Sequence, residues 1–311
     1  MSLIAVTLHP AVDKFVKTTR LVPDGISRTE IISIYAGGKG NNAARALVRM
    51  GVPAITVSFN GGFTGAQIVD NLEKEGIHCA WVKCQAPIRI STLVHETETE
   101  HTFALYEPGQ KVTKKEAEEM LRNFSGLLDA ESIVLLCGSG QGLYLEDMYG
   151  EMVKIAHSKG ARCLVDSSVP ALSYAIESKP YMVKANQHEI GEYLGRDLCT
   201  RSSQVDGLQE LNKRGISVSA MSLGAEGLIA SDGKDVYHAS LQVAEVKNVV
   251  GCGDTLLAGM AKALSEGLSL SELTRWGVAA GTANTQGNGA GFINLNQVES
   301  LLPCVKLNKI A

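Results

Sequence analysis

A chain of 311 residues with 29 Lys plus Arg against 33 Asp plus Glu, net −4, has no basic footprint for nucleic acid and is long enough for a large α/β core. Its seven cysteines form no Cys-x-x-Cys pair and leave one over, which argues against a zinc site and for reduced thiols in a cytoplasmic protein. No apolar run approaches membrane-spanning length and the N-terminus lacks a basic signal segment, so neither membrane nor nucleic acid is an expected partner.

Residues 3–8 are apolar and β-rich and predict a strand, with Asp13 just past its end. Open α/β sheets bind ligands there, so Asp13 is a candidate for holding substrate hydroxyls; a turn acid is the equally simple alternative. Residues 15–35 alternate about the hairpin-like Pro23-Asp24-Gly25, with Arg28 beyond it, and predict a small accessory sheet. Gly37-Gly38-Lys39-Gly40-Asn41-Asn42 then feeds an Ala/Leu/Val helix stopped at Gly51. This is not a Walker loop, which needs Gly where Ser33 stands and Ser or Thr where Gly40 stands. Its glycines instead let backbone amides meet substrate hydroxyls or phosphate, and Asn42 adds a donor and an acceptor.

A strand at 54–59, a helix at 65–75 and a strand at 77–83 give the βαβ rhythm of a parallel sheet. Residues 88–95 and 101–106 form a ribbon assigned to the accessory sheet, opened by Arg89, which either clamps a phosphate or lies in solvent. Thr113-Lys114-Lys115-Glu116 is a capping box for a helix through Phe124. Strand 132–137, Gly138-Ser139-Gly140-Gln141-Gly142, helix 144–159, strand 162–165 and Asp166-Ser167-Ser168 follow, then a short helix from Pro170. Asn186 and Glu189, three apart at the start of helix 187–194, either meet magnesium-bound water and phosphate or form a capping box. Strand 216–222 runs into Ser222-Leu223-Gly224-Ala225-Glu226-Gly227, a tight loop suited to close approach to a nucleotide.

The centre of the sequence's chemistry is Gly251-Cys252-Gly253-Asp254, leading into an Ala/Leu-rich helix. Small residues at a helix start expose backbone amides to an anion. A carboxylate there suits a proton acceptor for a hydroxyl substrate, or simply caps the helix. A second Ala-rich helix at 270–286 carries Ala279, Ala280, Gly281 and Ala283, which suit helix packing or a flat adenine ring, and Asn284 near its end.

With the 37–42 loop and the 251–254 turn both in order, the chain resembles the ribokinase-like (PfkB) carbohydrate kinase family, nearest its 1-phosphofructokinase and tagatose-6-phosphate kinase branch. The resemblance runs nearly end to end. It implies a three-layer α/β/α core with a mainly parallel sheet, formed by about 1–9, 36–85 and 108–311, and a discontinuous β lid from about 10–35 and 86–107. It also implies ATP as donor, Mg²⁺ as metal and a homodimer through the lid. Asp254 would be the base, and the amides of Gly251, Cys252 and Gly253 the anion hole. Asp13, Gly37, Gly38, Lys39, Asn42 and Ser139 would bind the sugar substrate; Arg89, and Arg28 from a partner's lid, would hold its phosphate. Lys184, Asn186, Ser222, Gly224, Gly227 and Asn284 would serve the nucleotide, and Glu189 the metal through water. The expected acceptor is a ketohexose phosphate of the fructose 1-phosphate or tagatose 6-phosphate type. An unphosphorylated sugar or nucleoside, or a non-catalytic sensor, is the alternative. Cys252 stands where the family has Ala or Ser, Ala185 where it has Pro, and His9 where the branch has Asn. Gly138-Ser139-Gly140-Gln141-Gly142 replaces a Gly-Ser-Leu-Pro-like stretch, which with His9 leaves the acceptor open.

Overall fold

The computed structural model describes residues 2–311. The strands of the first half are β1 (Leu3–Thr7), β2 (Ala11–Thr18), β3 (Glu30–Gly37), β4 (Ala54–Asn60), β5 (His78–Lys83), β6 (Arg89–Glu96), β7 (His101–Tyr106) and β8 (Ile133–Cys137). Those of the second half are β9 (Arg162–Asp166), β10 (Met182–Asn186), β11 (Val218–Ser222), β12 (Leu228–Ser231), β13 (Val236–Ser240) and β14 (Lys306–Lys309). The helices are α1 (Lys39–Arg49), α2 (Gly62–Lys74), α3 (Lys114–Leu127), α4 (Met148–Lys159) and α5 (Ala171–Glu177), then α6 (Gln187–Leu194), α7 (Arg201–Lys213), α8 (Cys252–Ser265), α9 (Leu270–Thr285) and α10 (Leu295–Leu301).

The large sheet runs β14-β13-β12-β11-β10-β9-β8-β1-β4-β5. Strands from β11 through β5 are parallel, and β12 to β14 are added antiparallel. Central strands such as β1 (LIAVT) and β8 (IVLLC) are buried along their whole length, as a sheet covered by helices on both faces requires. Register then aligns the carboxyl ends. Thr7 pairs with Cys137, Cys137 with Asp166, and Asn186 with Ser222, so polar residues collect along one edge of an otherwise apolar sheet. The site is built on that edge.

The Ala/Gly stripe of α9 is used against α8: a side chain at Gly259 would meet the Trp276 carbonyl at 2.6 Å, and one at Gly277 the Met260 side chain at 2.8 Å. The second sheet, β3-β2-β6-β7, sits apart from the first and gathers strands from two separated stretches of chain. Residues paired across neighbouring strands share a face. One face presents Asp13, Ser91 and Tyr106 to the core; the other carries the rows Ile31-Val16-Val94-Phe103 and Ile34-Lys14-Thr92-Leu105.

The structure corrects several local expectations. Asp13 lies inside a strand, β2 of the smaller sheet, and not in a turn directly after β1. α4 starts at Met148, because residues before it form turns that include Tyr144 at φ 72°. α7, opened by a Thr200–Ser203 capping box, and the edge strand β14 had no counterpart in the sequence reading. Among the described residues no helix is long and apolar enough to cross a membrane.

Candidate active site

Between the carboxyl edge of the large sheet and the inner face of the lid lies a cavity of about 510 Å³. The lid contributes Asp13, Arg89 and Tyr106, and α1 contributes Lys39 and Asn42. Sheet edge and helix starts add Asp166, Lys184, Glu189 and Asp254. A second cavity of about 530 Å³ adjoins it, lined by Gly224, Gly227, Val246, Val249, Leu256 and Gly281 among others. Ser222 and Gly253 line both.

The start of α8 stands between the two. Gly251 is its N-cap in the left-handed region at φ 78°, and an added Cβ would come within 2.3 Å of the Ala290 Cβ, so only glycine fits. A helix's first amides have no intrahelical partner, and a glycine cap supplies no side chain to satisfy them. Asp254 does not cap the helix. It stands at the third helical position, 5 % exposed, and its Oδ2 accepts a hydrogen bond from Asn42 Nδ2 at 2.8 Å. Burial pushes its carboxyl up to about 6; Asp166 adds to the shift, while Lys39, the Asn42 bond and Lys184 oppose it.

Asp166, at the end of β9 and 1 % exposed, holds two cations: Lys184 Nζ at 2.5 Å and Lys39 Nζ at 3.2 Å. Burial works to raise its pKa, but the two ammonium groups and their hydrogen bonds outweigh that and hold it below the usual carboxylate range. Lys39 in turn is held above the ordinary ammonium range, chiefly by Asp166. Across the cavity burial pushes Asp13 up to about 6, against the pull of Arg45 and Arg89 and with a further push from Asp254. His9 Nε2 lies 2.7 Å from the Gln141 carbonyl, tying β1's end to the 138–142 loop, and burial lowers its pKa.

Most of the anticipated residues come together here. Asp13, Gly38, Lys39, Asn42, Arg89 and Ser139 line the first cavity, as do Lys184, Asn186, Glu189, Gly251, Gly253 and Asp254. Ser222, Gly224, Gly227, Cys252 and Gly253 line the second. Asn186 and Glu189 do form a capping box, Glu189 N to Asn186 Oδ1 at 2.9 Å and Asn186 N to Glu189 Oε2 at 2.8 Å, while also facing the cavity.

Three residues do not line either cavity. Asn284 is wholly buried behind the 250–253 loop: its amide donates to the Val250 carbonyl at 2.8 Å, and its Oδ1 accepts from Gly291 N at 2.8 Å and Thr255 Oγ1 at 3.2 Å. These bonds brace the loop at Val250 from behind. Gly37 makes room for Asp13, whose carboxyl carbon would lie 2.1 Å from an added Cβ. Arg28 is exposed on the loop between β2 and β3, away from its own chain's cavity. Asp166 was missed as a site residue, although it ends a buried strand as the ligand rule for open sheets requires. Ser91 and Tyr106 had no sequence signal beyond strand alternation.

The pfkB family carbohydrate kinase model matches residues 4–297. The chain is 30 % identical over 305 residues to 1-phosphofructokinase of Bacillus subtilis (strain 168), covering 98 % of this chain and 99 % of that one. Among solved structures it superposes on phosphofructokinase-2 from Escherichia coli in complex with substrates and products, with TM-score 0.92, 27 % identity and coverage of 97 % and 99 %. The tetrameric inhibited form of the same enzyme gives TM-score 0.91 at 26 % identity over 97 % and 98 %. Family match, end-to-end relative and shared architecture agree: this chain belongs to the pfkB family of carbohydrate kinases and is an ATP-dependent sugar kinase.

Proposed function

We propose that the chain transfers the γ-phosphoryl group of ATP to a hydroxyl of a ketohexose phosphate of the fructose 1-phosphate or tagatose 6-phosphate type. The observation that carries this is Asp254, a buried carboxylate pushed up to about 6, standing in the first turn of α8 where a polar cavity meets an apolar one. As base it accepts the proton of the acceptor hydroxyl, while the amides of Gly251, Cys252 and Gly253 receive the charge of the transferring group. Phosphoryl transfer needs positioning and electrostatics more than covalent chemistry, which suits the fixed Lys39–Asp166–Lys184 cluster. Asp13, Gly38, Lys39 and Asn42 hold the sugar, and Arg89 with Ser139 its phosphate. The identity of the Bacillus relative as a 1-phosphofructokinase supports the acceptor class.

The second cavity fits a nucleotide: valines and Leu256 offer apolar walls to a base, the glycine loop at Gly224 and Gly227 allows close approach, and Gly253 opens toward the acceptor. When bound, ATP supplies the phosphoryl group, with Lys184 near its phosphates. Among the described residues no cluster of three or more His, Cys, Asp or Glu forms a metal cage. Mg²⁺ fits such a site because it keeps most of its waters and takes phosphate oxygens as ligands. Glu189, with Oε2 committed to Asn186, would have its other oxygen left to hold metal-bound water. The cysteines are all free, which supports a cytoplasmic setting.

A coupled ADP-release assay with fructose 1-phosphate, tagatose 6-phosphate and fructose 6-phosphate tests the reaction. Turnover on one of them, falling about 10³-fold in Asp254→Asn, is expected; none on any acceptor rejects the assignment. The apolar rows on the outer lid face, with Ile31 54 % exposed and Leu105 58 %, support a lid-to-lid dimer that brings Arg28 to the partner's site. Light scattering should give a dimer for the wild type and a monomer for Leu105→Glu.

A further inference from the structure

Arg45 lies on α1 with no exposed surface, and all five of its N–H donors are taken. Nε and Nη2 grip the Glu75 carboxylate, the second at 3.1 Å. Nη2 also donates to the Ala36 carbonyl at 2.7 Å, and Nη1 donates to the Ala290 carbonyl at 3.0 Å and to Asn42 Oδ1 at 3.2 Å. The edge-to-face pair of Tyr35 and Phe292 lies against the guanidinium, with ring centroids 5.2 and 4.6 Å away.

A guanidinium only donates, so the oxygen of the Asn42 amide must face it. The amide's NH₂ must then face the other way, where it donates to Asp254 Oδ2 at 2.8 Å. A flipped amide would set donor against donor at one end and oxygen against carboxylate at the other. The same cation also holds Ala290, the residue packed behind Gly251. One buried side chain therefore touches the supports of both the carboxylate and the anion-hole turn, without lining either cavity.

We propose that Arg45, held by Glu75, is a positioning residue that fixes the orientation of the Asn42 amide and through it the aim and ionisation of Asp254. The proposal rests on Asp254 as the base. Other groups bearing on that carboxylate are Lys39 of α1, Asp166 of β9, Lys184 of β10, Asp13 of β2, Cys137 of β8 and Cys252 of its own helix. Asp13 also feels the charge of Arg45, so substitutions that keep a cation at 45 are the informative ones.

The test is the titration midpoint of the Asp254 carboxyl, followed by NMR in full-length protein carrying carbon-13 at aspartate carboxyls and assigned with Asp254→Asn. Removing the Glu75 anion by itself would lower that midpoint, whereas weakening the bond from Asn42 raises it. An upward shift of about 0.5 pH unit or more is expected in Glu75→Gln and Arg45→Lys, with an equal or larger one in Asn42→Leu. The acid limb of kcat should move with it. A midpoint unchanged or lowered in Glu75→Gln, while Asn42→Leu still shifts, overturns the proposal. Failure of both Glu75→Gln and Arg45→Lys to fold overturns it too, in favour of a purely structural ion pair. Full phosphoryl transfer by Asp254→Asn would instead sink the base itself, and the titration would still decide the link from Arg45.

Discussion

The two cavities that meet at Gly253 are built on opposite plans. In the first, buried charges hold one another: Asp166 pairs with two lysines, and Asp254 is steadied by Asn42. In the second, uncharged residues line the walls, with Val246, Val249, Leu256 and Val278 around Gly281 and a few polar side chains such as Gln242 and Thr282. Buried ions are costly unless partnered, so the polar cavity has its geometry fixed by its own electrostatics. An apolar cleft lacks that constraint and answers mainly to volume.

The sharpest way to break the contrast is Asp166→Asn, which leaves Lys184 buried without its counter-charge. A loss of about 3–5 kcal/mol in urea unfolding is expected, larger than for any single change in the apolar cavity. Next is a difference of opposite sign. Asp254 titrates near 6 in the fold and near 3.8 in the unfolded chain, so the unfolded state releases its proton first as pH rises. The group's stabilising contribution is complete below about pH 3.8 and is lost as pH climbs through about 6. Asp254→Asn should therefore be more stable than wild type at pH 8, by up to about 3 kcal/mol, and melt higher, with the gain fading toward pH 4. Calorimetry at the two pH values decides it; an equal melting temperature at pH 8 would contradict the buried-carboxylate account.

Smaller effects should separate the cavities by substrate. Arg89→Glu is expected to raise the KM for a phosphosugar about 10²-fold and leave the KM for ATP nearly unchanged. Gly281→Leu should do the reverse, about tenfold in the KM for ATP, since a Cβ there already sits 3.2 Å from Leu256 and the Cys252 carbonyl. Use of a neutral sugar undiminished by Arg89→Glu would point to an unphosphorylated acceptor.

The same contrast explains what the sequence disclosed. Glycine-flanked charges such as Lys39 and Asp254 stand out because their chemistry needs those residue types in order, and the structure brings them to one cavity. Asp166 was legible by its strand-end position but sits in an unremarkable Asp-Ser-Ser turn, and its weight comes from two lysines remote in sequence. The burial of Asn284 was not legible from an amide near a small-residue stripe, because its partners Val250 and Gly291 are set only by tertiary packing. The parallel strands were readable from apolar runs. The edge strand β14 was not, because its Lys-Leu-Asn-Lys run is mostly exposed and pairs only with β13.

Asp13 belongs to the lid and Asp254 to the core, and each is a carboxylate in a nearly dry space. Their like charges oppose one another, Asp254 adding to the rise of the Asp13 pKa; hydroxyls of a sugar seated as proposed would relieve that repulsion by donating to both. On the proposed function, an empty site would then resist compaction, which would keep water from being clamped beside the nucleotide and limit futile hydrolysis.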